Sequence, residues 1–259
     1  MATILFDSVI FGPVTSRRLG VSLGINLLPN DAKLCNYDCV YCECGLNEQS
    51  RKPKSRFHPE AMVMKALESK LLGMQMNGLA PDSITFAGNG EPTMHPSFAT
   101  IMQGVIDLRN RYFPNAKVSV LSNATMAHRK DIYEALLLAD SNMLKLDTAI
   151  EETFRKLNQP PAGFNLQKLL ENLMQFRERM IIQSLFITGT ANGKRVDNTT
   201  EEELQAWLRA VAILRPREVQ VYTIARETPI DSLNRVSGEE LQRIAGRVEQ
   251  LGIPASVYA

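Results

Sequence analysis

Six short β-rich runs alternate with helical patterns from residue 20 onward, and this alternation limits the possible folds more than any other feature. The runs are GVSLGINL (20–27), SITFAG (83–88), KVSVLSN (117–123), MLKLDT (143–148), IIQSLFITG (181–189) and VQVYTIA (219–225). Rich in Val, Ile, Leu and Thr, they read as buried strands. Pro59 stands at a helix start, Met64, Leu67, Leu71 and Met74 recur at helical spacing, and Gly78 closes that element. Phe98, Ile101, Met102 and Val105 mark a second helix, Ile132 and Leu136 a weaker third, and Leu166, Leu169, Leu170, Leu173 and Phe176 a fourth. Two capping boxes, Thr200 to Glu203 and Ser237 to Glu240, open the last two; these carry Leu204, Trp207, Leu208 and Val211, then Leu241, Ile244 and Val248, ending at Gly252.

Strict strand–helix alternation predicts an α/β fold with a parallel sheet and helices outside. Eight units would close a full barrel in about 250 residues. Much of this chain goes into a cysteine-bearing loop and an N-terminal segment, so six units fit better. The expectation is a partial (β/α)6 TIM-like barrel with that loop after its first strand. It forms a single domain over 1–259: an N-terminal segment (1–19), the partial barrel (20–225), and a C-terminal helix and tail (226–259) whose PASVYA is a candidate edge strand. Net charge is +1, which gives no global field toward nucleic acid or membrane. No apolar run approaches the roughly 18 residues of a membrane span, and no signal peptide is read at the start. The expected location is the cytoplasm, without membrane contact, where thiols stay reduced.

All four cysteines fall within CNYDCVYCECG, residues 35–45. They stand too close together to cross-link distant elements, and they sit among Asn36, Asp38 and Glu43, so neither a disulfide framework nor incidental core cysteines fit. A structural zinc usually takes two separated ligand pairs, and the histidines His58, His95 and His128 are scattered. A redox CxxC formed by Cys39 and Cys42 leaves Cys35 without a purpose. The spacing Cys35-x3-Cys39-x2-Cys42 suits a [4Fe–4S] cluster with one iron open to a substrate.

Those residues resemble the radical S-adenosylmethionine (SAM) superfamily. The resemblance implies that Cys35, Cys39 and Cys42 ligate the cluster and that SAM chelates the fourth iron. It also implies an electron from a reductant such as flavodoxin or ferredoxin, cleavage of SAM to methionine and a 5′-deoxyadenosyl radical, and hydrogen abstraction from a substrate. Tyr41 matches an aromatic residue near adenine. GNGEP (88–92) resembles the family's glycine-rich motif after the second strand and implies SAM contacts at Gly88, Asn89, Gly90 and Glu91; Ser122 and Asn123 match the ribose and methionine contacts, and Asp147 an acidic strand end. Cys44 departs from the three-cysteine pattern, as a spare thiol or a hydrogen-bond donor beside the cluster.

Strand ends should carry the function in such a fold, which adds Lys145, Thr188 and Arg226 to the rim; for both basic residues a structural ion pair is an equal alternative. His95 reads first as part of a helix start. Segments 12–29 and 147–160 resemble the wyosine-base synthase relatives, which modify a guanine in tRNA, but no cysteine remains for their second cluster. Two basic patches, Arg17–Arg18 and RKPKSR (51–56), are what RNA binding would use. RNA is not the favoured partner, because a solvated connector explains the second patch as well. Arg17–Arg18 precedes the first strand and is placed to line the open barrel, facing either a substrate anion or an acidic group of the protein. Two further readings stay open: a non-enzymatic iron–sulfur or zinc protein, and an activase that installs a glycyl radical on a partner protein.

Overall fold

The computed structural model describes residues 4–47 and 57–259; the basic segment 51–56 lies outside them. An eight-stranded sheet runs in the order β1-β2-β3-β4-β5-β6-β9-β11. Its strands are β1 (Ile10–Ser16), β2 (Gly20–Ile25), β3 (Ser83–Phe86), β4 (Lys117–Ser122), β5 (Ser141–Lys145), β6 (Ile181–Leu185), β9 (Glu218–Tyr222) and β11 (Ala255–Tyr258). From β2 to β11 each neighbouring pair is parallel, and β1 alone pairs antiparallel, with β2. The sheet curls into a half-barrel, as the sequence predicts, with the predicted tail strand as its last member.

The helices are α1 (Glu60–Met76), α2 (Phe98–Tyr112), α3 (Lys130–Leu137), α4 (Glu151–Leu157), α5 (Leu166–Met174), α6 (Glu201–Leu214) and α7 (Gly238–Glu249). Thr200 and Ser237 cap α6 and α7, each accepting from the backbone N–H three residues on. The return half of the first capping box is not made. Glu203 instead accepts from Thr148 and Thr153, which ties α6 to the loop after β5 and to α4.

Three features escape the sequence pattern. β1 carries Pro13, which has no N–H to give a ladder, so it belongs on an edge. Short α4 lacks a long apolar stripe and is braced by Arg155–Glu151 and Lys156–Glu152 pairs at 2.7 and 2.6 Å. The run 181–189 is two strands, not one. Asn198 closes the break, its amide donating to Leu185 O (2.7 Å) and its oxygen accepting from Ile187 N (2.9 Å). The chain then leaves the barrel as β7 (Ile187–Ala191), which joins β8 (Lys194–Asp197) and β10 (Leu233–Arg235) in a separate three-stranded sheet. Thr188 therefore pairs with Asp197 and Asn234 in that sheet and is not on the barrel rim.

Residue alternation divides the half-barrel into two faces. One face carries Leu23 and Ile25, Ile84 and Phe86, Val118 and Val120, Ile182, and Val219 and Val221, all buried. This is the outer face: Phe86 packs edge-on against Phe98 of α2. The inner face is polar. Ser22 meets Thr85 at 2.8 Å, Ser83 meets Ser119 at 2.8 Å, and Gln183 donates to Gln220 at 2.8 Å. Parallel strands buried on both sides read as continuous apolar runs; here the alternation encodes a lumen lined with hydrogen-bonding groups.

Candidate functional site

The cysteine loop leaves the C-terminal end of β2 and lies over the rim of the half-barrel. Backbone pairing welds it to the neighbouring strand end. Leu34 N donates to Asn89 O (2.8 Å) and Glu91 N to Leu34 O (3.1 Å). This explains the glycines of GNGEP. Gly90 has φ +140° and a Cβ there would lie 1.9 Å from Leu34 O; Gly88 has φ +136° and its Cβ would lie 2.5 Å from Asn26 Oδ1. The glycines admit the cysteine loop and Asn26.

The far side of the loop is pinned to the end of α4, with Val40 N donating to Leu157 O (3.0 Å) and Asp38 N to Asn158 O (3.1 Å). A buried lysine clips its two ends together: Lys33 Nζ donates to Asp38 Oδ1 (3.0 Å) and to Gly45 O (2.9 Å). Burial pulls the Lys33 amine down, but the Cys42, Cys35 and Cys39 sulfurs outweigh that and hold it above the ordinary lysine range. Its charge therefore persists beside three thiols.

Each predicted ligand but one meets an amide donor. Cys35 Sγ accepts from Tyr37 N (3.4 Å) and Asn123 Nδ2 (3.7 Å), and Cys39 Sγ from Asn158 Nδ2 (3.6 Å). Burial raises the Cys35 thiol and drives Cys39 up to about 11. Cys42 differs. A hydrogen bond from the Cys44 thiol pulls it down to about 6, while the same bond and burial push Cys44 far up. Cys44 also donates to Gly88 O at 3.5 Å. All four are free thiols. Among the described residues, no three His, Cys, Asp or Glu side chains converge on a single-ion position.

The other predicted contacts are brought to the same rim, and several are already committed to the protein. Glu91, with 3% of its surface exposed, accepts from Ser122 Oγ (2.8 Å), Asn123 N (2.7 Å) and Thr93 N (3.1 Å), joining the ends of β3 and β4. Burial raises its carboxyl despite those donors. Asn89 turns away from the rim. Its amide spans Phe6 N (2.8 Å), Phe6 O (2.9 Å) and Pro29 O (2.7 Å), so its side chain anchors the N-terminal segment. Asn123 donates to Asn36 Oδ1 (2.8 Å) as well as toward Cys35.

Asp147 has its carboxylate fully enclosed. It accepts the Tyr41 hydroxyl, Asn158 Nδ2 (2.7 Å) and Leu185 N (2.8 Å), and pairs with Lys145 at 3.4 Å. It therefore locks Tyr41, and with it the cysteine loop, to β5 and β6. Lys145 also donates to the Tyr222 hydroxyl (2.6 Å) and lies 5.0 Å from the Tyr41 ring centre. Arg226 forms an exposed pair with Glu43 of the loop at 2.8 Å. His95 is structural, meeting His58 O at 2.8 Å and accepting from Ser97 N at 3.1 Å. No local pattern marks Lys33 or Asn158, and Asn36 stands out only as a polar neighbour of the cysteines. Asn158 was visible only as part of the segment 147–160, and Lys33 only as a basic residue two positions before Cys35.

The chain matches no protein-family model. It is 27% identical over 270 residues to a UPF0026 protein of Synechocystis, covering 95% of this chain and 94% of that protein. A UPF0026 protein of Methanocaldococcus jannaschii is 31% identical over 171 residues, 66% of this chain and 50% of that protein. A protein named GTPase Obg from Brachyspira hyodysenteriae is 28% identical over 234 residues, 90% of this chain but 32% of its own length. This chain thus spans about half of the Methanocaldococcus protein and about a third of the Brachyspira one. Among solved structures, a radical SAM methyltransferase from Sphaerobacter thermophilus superposes with a TM-score of 0.61 at 15% identity, covering 92% of this chain and 66% of that one. SuiB from Streptococcus suis, bound to S-adenosylmethionine, superposes at 0.62 and 15%, covering 88% and 49%. The chain has the fold of radical SAM enzymes. Archaeal TYW1 shares that fold more distantly, at TM-score 0.53 and 12% identity over 88% of this chain and 71% of that one. The likeness in fold rests on the solved structures, and neither they nor the relatives give particular weight to the wyosine-related subgroup.

Proposed function

We propose that this chain is a radical SAM enzyme, with Cys35, Cys39 and Cys42 holding a [4Fe–4S] cluster and SAM at its open iron. One observation carries the reading: three thiols on one rim loop, with a buried ammonium among them and amide donors aimed at two of their sulfurs. Hydrogen bonds to thiolate sulfur are a recognised lever on cluster potential, and a cation offsets the negative charge that thiolate ligands gather. The orphaned Oδ1 of Asn158, buried without a partner beside Cys39, is a further acceptor in the same wall. The residues present therefore fit the group.

Bound there, cluster and SAM supply reductive cleavage to methionine and a 5′-deoxyadenosyl radical that takes a hydrogen atom from substrate. The chain's own residues shape the place where this happens. Gly88, Gly90, Glu91, Ser122 and Asn123 form the edge over which SAM would lie, with Tyr41 as the aromatic wall. The side chain of Asn89 serves the scaffold, so its contribution to that edge is its backbone. Lys33 keeps the loop closed around the sulfurs. Asp147 and Asn158 orient Tyr41 and hold a polar boundary between the loop and the lumen. A flavodoxin or ferredoxin is the proposed electron donor.

The test is anaerobic reconstitution with iron and sulfide, reduction, and incubation with SAM. Roughly four irons and four sulfides per chain, with 5′-deoxyadenosine and methionine released, are expected. An intact cluster that yields neither product, or a single bound zinc, overturns the reading. Segments 12–29 and 147–160, which resemble the wyosine-base synthase relatives, form the β1–β2 region and the α4 wall of the site. They support a shared scaffold, and tRNA chemistry is not part of the proposal.

A further inference from the structure

A cavity opens at the end of the half-barrel away from the cysteine loop. Its volume is about 600 Å³, and its lining includes Gly20, Asp82, Lys117, Ser141, Ile181 and Glu218. Gly20, Lys117, Ser141, Ile181 and Glu218 are each the first residue of their strand, and Asp82 immediately precedes β3. The cavity is therefore the N-terminal mouth of the lumen, across the barrel from the cysteine loop. Arg18, Arg217 and Tyr258 complete the wall that matters here.

Arg18 stands out in that wall. Its guanidinium lies 4.3 Å from the Tyr222 ring centre and 5.4 Å from that of Tyr258. It has no carboxylate partner and no hydrogen-bond acceptor among the described residues. A guanidinium carries five N–H donors in a rigid fork suited to a planar carboxylate or a phosphate. Two tyrosine rings fix its plane and leave those donors open. Lys117 adds an ammonium that likewise pairs with no carboxylate among the described residues, whereas Arg217 is turned to Asp140 O at 3.2 Å. The wall's carboxylates are occupied: Asp82 accepts from Val21 N at 2.7 Å, and Glu218 from Ser256 at 3.0 Å.

We propose that this cavity binds the anionic end of the substrate, a phosphate or carboxylate group taken by Arg18, with Lys117 supplying a second positive charge in the same lining. The proposal rests on the radical SAM reading for what lies at the other end of the lumen. The two ends are connected. Tyr222, under Arg18, accepts from Lys145 at 2.6 Å, and Lys145 pairs with the Asp147 that locks the cysteine loop. Tyr222 and Tyr258 are the last residues of β9 and β11, so the Arg18 side chain reaches from the mouth up the lumen: its guanidinium lies 4.3 Å, and the Lys145 ammonium 5.2 Å, from the same Tyr222 ring centre. The hydroxyl and amide lining of the lumen suits a small polar molecule, with its anion at Arg18 and its reacting carbon toward the cysteine loop.

Calorimetric titration of the reconstituted protein at low salt with inorganic pyrophosphate, and separately with citrate, tests this directly. Binding of one of the two is expected, and which one binds distinguishes phosphate from carboxylate. Arg18→Gln should weaken it about tenfold or more, as loss of hydrogen bonds to a charged group implies. Lys117→Gln should weaken it about threefold, and Arg243→Gln on the outer surface should leave it unchanged. Should Arg18→Gln fail to fold, Lys117→Gln decides. No binding of either probe, or equal affinity in the folded variants, overturns the proposal. Because the titration does not depend on iron, pyrophosphate or citrate binding without 5′-deoxyadenosine formation sinks the radical reading alone, and the converse result sinks this one.

Discussion

The two ends of the half-barrel are built by opposite rules. At the C-terminal rim the ionisable side chains are mostly spoken for: Asp147 is bonded to the Tyr41, Asn158, Leu185 and Lys145 groups, Glu91 to residues of two strand ends, and Lys33 to Asp38 and Gly45. At the N-terminal mouth two cations face a cavity of about 600 Å³ without acceptors among the described residues. A rim that holds thiols in fixed places has its buried charges paired, because an unpaired buried charge is costly. A mouth that receives a ligand leaves donors open for it. Substitutions at the rim should therefore be read mainly in stability and cofactor retention, and those at the mouth mainly in binding.

The largest effect is expected at Asp147. Asp147→Ala removes an enclosed carboxylate and strands Lys145, and breaking one partner of a buried pair typically costs about 3–5 kcal/mol. Urea unfolding checks it, and a loss below about 1 kcal/mol would mean the rim is not locked as described. Lys33→Met comes next. It removes hydrogen bonds to Asp38 and Gly45 together with the charge among the sulfurs, for about 1.5–3 kcal/mol. Iron retention on dilution should fall in Lys33→Met and survive in Lys33→Arg; equal retention in both would leave the lysine as a plain loop clip.

A smaller, sharper test concerns the uneven thiols of the cluster-free protein. Cys42 is held at about 6 by the Cys44 thiol, so its thiolate dominates above that pH and is lost as pH falls through it. Alkylation of Cys42 by iodoacetamide, followed by mass spectrometry, should rise around pH 6. Cys44→Ala removes the donor, and the midpoint should move up toward the ordinary thiol value of about 8.5. A midpoint unchanged in Cys44→Ala would show that Lys33 and Lys145, and not Cys44, set the Cys42 charge.

Much of this contrast is written in the chain, but in two different alphabets. The fold was legible because outer-face residues such as Leu23, Phe86, Val120 and Val221 recur in runs that alternate with helical stripes. The cysteine loop was legible as a candidate site because all four cysteines of the chain fall within residues 35–45. The lumen was present too, in GVSLGI, SITF and EVQVY, where every second residue is Gly, Ser, Thr, Gln, Glu or Tyr. Read as buried strands alone, those runs hide the polar face, since composition does not report period. Asn158 and Lys33 were hidden for another reason: their partners lie in space and not at any fixed spacing. Asn89 shows the converse error. Its motif placed it at the rim correctly, but the direction of its side chain depends on Phe6 and Pro29, which no local pattern names.

The smallest expected effect breaks the comparison most cleanly if it fails. Arg18→Gln gives up only its stacking on Tyr222 and Tyr258, worth about 0.5–1 kcal/mol at a partly exposed site, since no hydrogen bond of the guanidinium to a described residue is lost. Lys117→Gln should fall within about 0.5 kcal/mol of the parent. Both figures come from the same urea titration that reads Asp147→Ala, so the rim and the mouth are compared on one scale. If Arg18→Gln destabilised the fold by as much as Asp147→Ala, the guanidinium would be a strut like the carboxylate across the lumen. The open donors at the mouth would then have a structural purpose, and the division between a rim of paired charges and a receptive mouth would no longer hold.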